Sequence, residues 1–352
     1  MSREFRAKKT HKKYSVYKKS IAISSRNKVF FIALHVSISP FLANINPFVA
    51  PSGNQTSLHM PPTKTFNIKV FLVFGITIFF WSSAFVAIRI ALKSYSPGSL
   101  ALFRYIIASL GMAIIHFNYA KVKLHWRDVP FIVLIGVIGF GVYNVALNYG
   151  EVTVSAGIAG FMIGQMPVAI TVLAIVFLGE RPCIKALIGL VISVIGITLI
   201  AISHQRGTIG FDLGILYLII AVLSGATYHV SYKKLLHRYQ AIELTAYGIW
   251  FGTLSMLFYA PDLWKEIPLA TPTATWLVIY LGIFPGLLGY LCWNYGLKYV
   301  SVSKASSGLY FIPIVTLLLG WLCLDEIPVW LALIGGLVAL GGAIMVATSK
   351  RL

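Results

Sequence analysis

The chain has 352 residues, of which 58% are hydrophobic and only 11% charged, with a mean hydropathy of +0.83. That is more apolar surface than a water-soluble domain can hide, so the composition excludes an ordinary soluble enzyme and makes lipid the solvent. The formal charge of +19 does not mark a nucleic-acid binder, because the basic residues track the ends of apolar stretches.

Residues 1–65 carry eleven Lys or Arg against the single acid Glu4 and supply +10 of the net charge. They read as a basic N-terminal extension. Within it, Val29 to Ala43 is apolar but interrupted by His35, Ser37, Ser39 and Pro40, which suits a signal-like or surface-lying segment. From Met60 the sequence runs MPPTKTFNIKVFLVFG, a short basic lead into the first apolar helix, so Met60 is an alternative start. Asn54-Gln55-Thr56 matches a glycosylation acceptor but falls on the predicted cytoplasmic side.

From Ile68 to Thr348, apolar stretches recur near the ~20 residues needed to cross a hydrocarbon core of ~30 Å. Phe131 to Tyr143 and Cys183 to Ile202 are apolar on every face, unlike the alternation of a transmembrane barrel. The predicted spans are 68–92, 98–118, 129–148, 154–178, 183–203, 211–232, 242–260, 274–297, 303–323 and 327–348. The expected fold is an all-α polytopic membrane protein of ten transmembrane helices.

Charge sets the orientation. With the N-terminus inside, the cytoplasmic side holds Lys121, Lys123, Arg127, Arg181, Lys185, Lys233, Lys234, Arg238, Lys298, Lys304, Lys350 and Arg351. The other side holds only Lys93, Arg206 and Lys265. This bias predicts both termini in the cytoplasm of a cell whose inner (plasma) membrane the chain crosses repeatedly.

An internal repeat organises the spans. Shifting the chain by 146 residues places Asn148-Tyr149-Gly150 on Asn294-Tyr295-Gly296, Ser155 on Ser301, Pro167 on Pro313, Glu180 on Glu326 and Pro182 on Pro328. Gly189/Gly335 and Gly196/Gly342 follow, and residues 148–200 hold 16 identities in 53 positions without a gap. The earlier parts fit a shift near 142, with Ser82 and Ala84 opposite Ser224 and Ala226. Two five-helix repeats, 66–203 and 211–348, result. Five is odd, so the second enters the bilayer upside down, the inverted-repeat design of secondary transporters.

Phe80-Trp81-Ser82-Ser83-Ala84-Phe85 with Arg89, Arg104, the Asn-Tyr-Gly and mid-helix Pro elements and Gly179-Glu180-Arg181-Pro182 together resemble the drug/metabolite transporter superfamily, in its form with two EamA-type domains. The second repeat departs with Asp325-Glu326-Ile327-Pro328. The resemblance covers about 66–348. It implies a ten-helix exporter or exchanger of amino acids and related metabolites, with a central cavity between the halves.

Candidate residues follow from depth. Pro167 and Pro313 sit mid-span at equivalent places, where each ring removes an N–H and displaces the carbonyl of Ile163 or Leu309; they are expected to act as kinks and gating elements. Asn144 and Asn148 share a face of the third span, and Tyr290, Trp293 and Asn294 cluster on the eighth. Gln165 and Tyr310 precede the prolines, and Trp81, Tyr228 and His229 lie within the first and sixth spans. These side chains are candidates to line an amphipathic pocket, against the plainer reading of helix–helix hydrogen bonding. Arg104, about 9 Å deep at ~1.5 Å per residue, is the cation that a substrate carboxylate would use, or else it bonds a backbone carbonyl. Arg89, near a helix end, is expected to snorkel. Glu180 and Glu326 precede prolines and are expected to serve the first turns of the helices that follow. That leaves Glu151, Asp212 and Glu243 at span ends and no carboxylate in mid-membrane for proton coupling.

Small residues at Gly189/Ser193 and Gly335/Ala339 suit close helix contact, either within the chain or between two copies as a homodimer. Cys183, Cys292 and Cys323 show neither ligand nor disulfide spacing, and the chain has no phosphate-binding Gly-rich loop and no His-Glu-x-x-His, so no metal or cofactor is implied. The expected partners are a small-molecule solute and the lipid bilayer, with no nucleic acid. An intramembrane enzyme would need a nucleophile–base or carboxylate pair at depth, and a sensor or scaffold would carry a soluble effector domain; secondary transport is the reading the residues favour.

Overall fold

The computed structural model describes residues 68–119, 124–178, 183–203, 212–235, 238–296 and 308–349, all within one compact unit, Thr63–Leu352. The basic extension with Met60, the Gly-Glu-Arg-Pro turn and residues 297–307 lie outside the described residues. The regular elements described are all helical: α1 Ile68–Ala91, α2 Pro97–Tyr119, α3 Val129–Thr153, α4 Ala156–Ile163, α5 Met166–Leu178, α6 Ile184–Ser203, α7 Leu213–Leu235, α8 Ala241–Ser255 and α9 Ala260–Glu266. After these, α10 runs through Pro272–Ile283, Phe284–Leu288 and Gly289–Gly296, and α11 Ile312–Leu324 and α12 Trp330–Thr348 complete the chain.

Among the described residues, six helices are long and apolar enough to cross a membrane: α1, α2, α3, the α4–α5 pair, α7 and α10. Three further apolar helices, Ile184–Ile200, Leu309–Leu324 and Trp330–Val346, are shorter. The chain is therefore an all-helical, multi-pass protein, with six of the ten expected spans at full length. The predicted seventh span, 242–260, is shorter than expected. Its helix stops at Ser255, a 3₁₀ turn follows at Leu257–Tyr259, and Pro261 starts the separate helix α9.

Leu, Ile, Val and Phe cover the outer faces, as lipid requires. Trp126, Trp264, Trp276 and Trp330, all well exposed, sit at span ends where an indole ring meets the lipid headgroups.

The tightest helix pair is α6 against α12, and glycine makes it. A Cβ on Gly189 would meet the carbonyl oxygen of Gly342 at 2.7 Å, and one on Gly196 would meet the backbone nitrogen of Ala339 at 2.3 Å. Because Gly189 faces Gly342 while Gly196 faces Gly335, the two helices run antiparallel. The Ser193 hydroxyl donates to the Ala339 carbonyl at 3.2 Å. The small-residue stripes are thus consumed inside the chain rather than left for a second copy.

Gly196→Leu should lower the unfolding free energy in detergent micelles by about 1–3 kcal/mol through overpacking against backbone. Ile195→Leu, on the lipid side next to it, should stay within ~0.5 kcal/mol. Equal denaturant midpoints for the two variants would contradict the seam.

Candidate functional site

Two spans leave α-helical geometry at matching places. α3 passes through a π-turn at Val137–Val142 and α10 through one at Phe284–Leu288, and the 146-residue shift superposes Gly139 on Pro285. Pro285 has no N–H to offer the helical ladder, which explains the widened turn in α10. In α3 the missing side chain of Gly139 makes room for Tyr228, whose ring a Cβ there would meet at 2.5 Å. Local backbone groups then engage side chains: the Trp81 indole N–H donates to the Pro285 carbonyl at 3.2 Å, and the Asn144 amide to the Phe140 carbonyl at 2.8 Å.

The predicted proline kinks are helix breaks. α4 ends at Ile163, a turn at Gly164 and Gln165 follows, and Pro167 lies in the first turn of α5. Pro313 likewise lies in the first turn of α11, after a 3₁₀ turn at Leu309–Phe311. A proline is favoured at a helix start, where its missing N–H has no partner to lose. The two breaks touch, since a Cβ on Gly164 would meet Pro313 Cγ at 2.8 Å.

Around these irregular segments lies a partly open cavity. Of the predicted residues it gathers Trp81, Arg104, Asn144, Tyr228, His229, Tyr290 and Pro167. Its remaining wall includes Phe85, Tyr105, Gly139, Tyr143, Leu147, Pro285 and the paired positions Ile163/Leu309 and Met166/Ile312. The sequence reading missed these. Applying the repeat to every wall position would have found several, since Gly139/Pro285 and Asn144/Tyr290 are also related by the 146-residue shift.

Four predicted residues are used elsewhere. Asn148 donates to the Pro97 carbonyl at 2.9 Å and Tyr310 to the Ala343 carbonyl at 2.9 Å. Gln165 reaches back to the Phe161 carbonyl at 3.5 Å. Trp293 stands behind the wall, 5.3 Å from Trp81 and edge-on to Phe74. The side chain of Asn294 lies outside the described residues.

The cavity wall is aromatic and carries one cation. Phe140 links Tyr105 at 5.9 Å, Tyr228 at 5.1 Å and Tyr290 at 5.3 Å, and Tyr290 meets Trp81 at 5.4 Å. The Asn144 amide donates to the Tyr105 hydroxyl at 3.0 Å, spending its second hydrogen. The Arg104 guanidinium lies 5.5 Å from the Tyr105 ring centroid. Arg104 is only 5% exposed, and its Nε and Nη1 have no hydrogen-bond partner among the described residues. Among the described residues, no Asp or Glu lines the cavity. The site thus sets buried, unengaged cationic donors against aromatic walls.

Polar clusters lie toward both ends of the helices. At the C-terminal end of α1, Arg89 pairs with Glu326 at 3.0 Å and donates to the carbonyls of Glu151 and, at 2.8 Å, Val152. Glu326 also accepts from the Ala156 N–H at 2.9 Å. Arg89 therefore does not snorkel, and Glu326 serves the start of α4 rather than the helix that follows it. Nearby, Glu266 accepts from Ser96 N–H at 3.0 Å and Tyr95 meets Thr275 at 2.7 Å. At the opposite end Asp128 binds Arg238 at 3.0 Å and accepts from the Tyr239 hydroxyl at 2.8 Å. The Tyr239 hydrogen bond, followed by Arg238, holds the Asp128 carboxyl below its usual range.

The family model described as the EamA-like transporter family matches residues 68–202 and again 212–348. An uncharacterized transporter of Bacillus subtilis, YdfC, is 34% identical over 276 residues, 78% of this chain and 90% of that protein. A probable terminal-alkyne amino-acid exporter of Streptantibioticus cattleyicolor is 36% identical over 273 residues, 77% and 91% of the two chains. A solved crystal structure at 17% identity shares the fold with a TM-score of 0.55, over 80% of this chain and 96% of that one.

Asn144→Ala would remove two buried hydrogen bonds, one to the Tyr105 hydroxyl, which keeps its bond with Tyr290, and one to the Phe140 carbonyl. A buried hydrogen bond contributes about 0.5–1.5 kcal/mol, so this variant should unfold at lower denaturant in micelles. An unchanged midpoint would show that Asn144 does not organise the wall.

Proposed function

The chain belongs to the EamA-like transporter family, and from that premise we propose that it exports or exchanges amino acids or related small carboxylate-bearing metabolites across the inner membrane by alternating access, with both termini cytoplasmic. The observation that carries this reading is Arg104, buried in an aromatic cavity with Nε and Nη1 unengaged. A carboxylate accepts from one of these free donors, while the solute's apolar body packs on Trp81, Tyr228 and Tyr290. The amino-acid exporter among the relatives points to the same solute class.

In this orientation the Arg89–Glu326 cluster faces outward and the Asp128–Arg238 cluster faces the cytoplasm. Each is an exchangeable set of hydrogen bonds, so breaking one while keeping the other opens the cavity to one side only. The helix breaks at Pro167 and Pro313 and the π-turns of α3 and α10 supply the points about which segments tilt.

Proteoliposomes holding the protein should release labelled amino acids from a broad panel faster than empty vesicles. Arg104→Gln should cut flux of carboxylate solutes at sub-saturating concentration about 10–100-fold, the equivalent of a lost charged hydrogen-bond pair of roughly 1.5–3 kcal/mol. Arg104→Lys should recover part of it. Pro167→Ala with Pro313→Ala should slow exchange. A broad metabolite panel without protein-dependent flux would overturn transport.

A further inference from the structure

Beyond the cavity wall lies a second buried ionisable group. Asn144, Asn148 and Glu151 recur at i, i+4 and i+7 on α3, so one helix face carries polar side chains from the cavity toward the Arg89 cluster, over about 10 Å at ~1.5 Å per residue. All three are buried, and the Asn148–Pro97 bond pins the stripe against α2. Glu151 is 0% exposed, and neither carboxylate oxygen has a hydrogen-bond partner among the described residues.

The contrast with Glu326 is informative. That carboxylate takes a guanidinium and a backbone N–H, whereas Glu151 takes neither. Arg89 hydrogen-bonds the Glu151 backbone carbonyl and the Glu326 carboxylate, so its charge acts on the Glu151 carboxyl only through space, as does that of Glu326. The other ionisable groups around Glu151 are Arg104 from α2 and Tyr143 on its own helix; from α7, Asp212 bonds Thr153 and Tyr217 stacks on Tyr149. A carboxylate held dry without hydrogen bonds carries its charge at far higher cost than in water, and a bound proton removes that cost.

We propose that Glu151 is a proton-binding site tied to the outward-facing end: it holds a proton while the Arg89–Glu326 cluster is closed, and releases it to outside water when that end opens. The step is a simple dissociation, carboxyl to carboxylate plus a hydrated proton. The proposal rests on the alternating-access reading above. Because the closed state binds one more proton, external acid favours closure.

The test uses the full chain in spheroplasts, with Cys183→Ser, Cys292→Ser and Cys323→Ser and a reporter at Leu147→Cys, one turn from Glu151 on the cavity wall. A membrane-impermeant thiol reagent is added outside, and its rate is normalised to Trp264→Cys at the same pH. Normalised labelling should rise at least threefold from external pH 5 to pH 8. With Glu151→Gln it should stay low and flat, and with Glu151→Asp it should still rise. Labelling that ignores pH in the Glu151 protein overturns the proposal, as does a pH response that survives Glu151→Gln or vanishes only with Glu326→Gln. A response to sodium at fixed pH, without one to protons, also overturns it. If Glu151→Gln fails to fold, the Glu151→Asp response decides: a midpoint unmoved from the Glu151 protein's counts against the site. The assay needs no solute, so absent solute flux sinks only the transport reading, and flux with pH-blind opening sinks only this one.

Discussion

A chain surrounded by hydrocarbon must close its own backbone hydrogen bonds, and every departure from that rule has to be repaired by protein. Here the departures are concentrated around one cavity. The π-turns of α3 and α10 and the breaks before α5 and α11 all contribute to its wall. Their polar backbone is met by Trp81, Asn144 and Gln165 rather than by lipid. The cavity exists because these helices are imperfect, and the imperfections are tolerated because they meet in one place.

The second ingredient is electrostatic. Arg104 is kept inside without an acidic partner in the cavity wall, an arrangement that stores desolvation cost in the absence of a ligand. In the proposed function, an incoming carboxylate recovers that cost. The charged clusters at the two ends are fully engaged by contrast, Arg89 with Glu326 and Asp128 with Arg238. Unsatisfied charge at the cavity and satisfied charge at the ends is the distribution on which the proposed function relies.

Much of the fold was legible because a transmembrane helix announces itself by composition: the long spans lie within a few residues of where hydropathy puts them. The helix subtypes were not. A π-turn at Val137–Val142 leaves no pattern in an apolar run, and α8 looks like a span until Pro261 restarts the helix. For the site, depth and polarity singled out Trp81, Arg104, Asn144, Tyr228, His229 and Tyr290, and these six line one cavity. Depth could not separate them from Asn148, Gln165 and Tyr310, because a side chain bonded to a neighbouring carbonyl and one facing a cavity look alike in sequence. Arg89 and Glu326 were misread for a related reason. Their partners come from segments 62 to 237 residues away, and no local rule reaches that far.

The α6–α12 seam carries a consequence of its own. Under the 146-residue shift Gly189 becomes Gly335 and Gly196 becomes Gly342, so the contact of Gly189 with Gly342 is the same contact as that of Gly335 with Gly196, read from the other side. Such a surface is self-complementary in the way a two-fold dimer interface is. One helix, solved once, recognises an inverted copy of itself, and fusing two copies end to end would inherit the seam without any new fitting. The steric economy of a few glycines thereby doubles as a record of how a protein of this size can be assembled from a half-sized one.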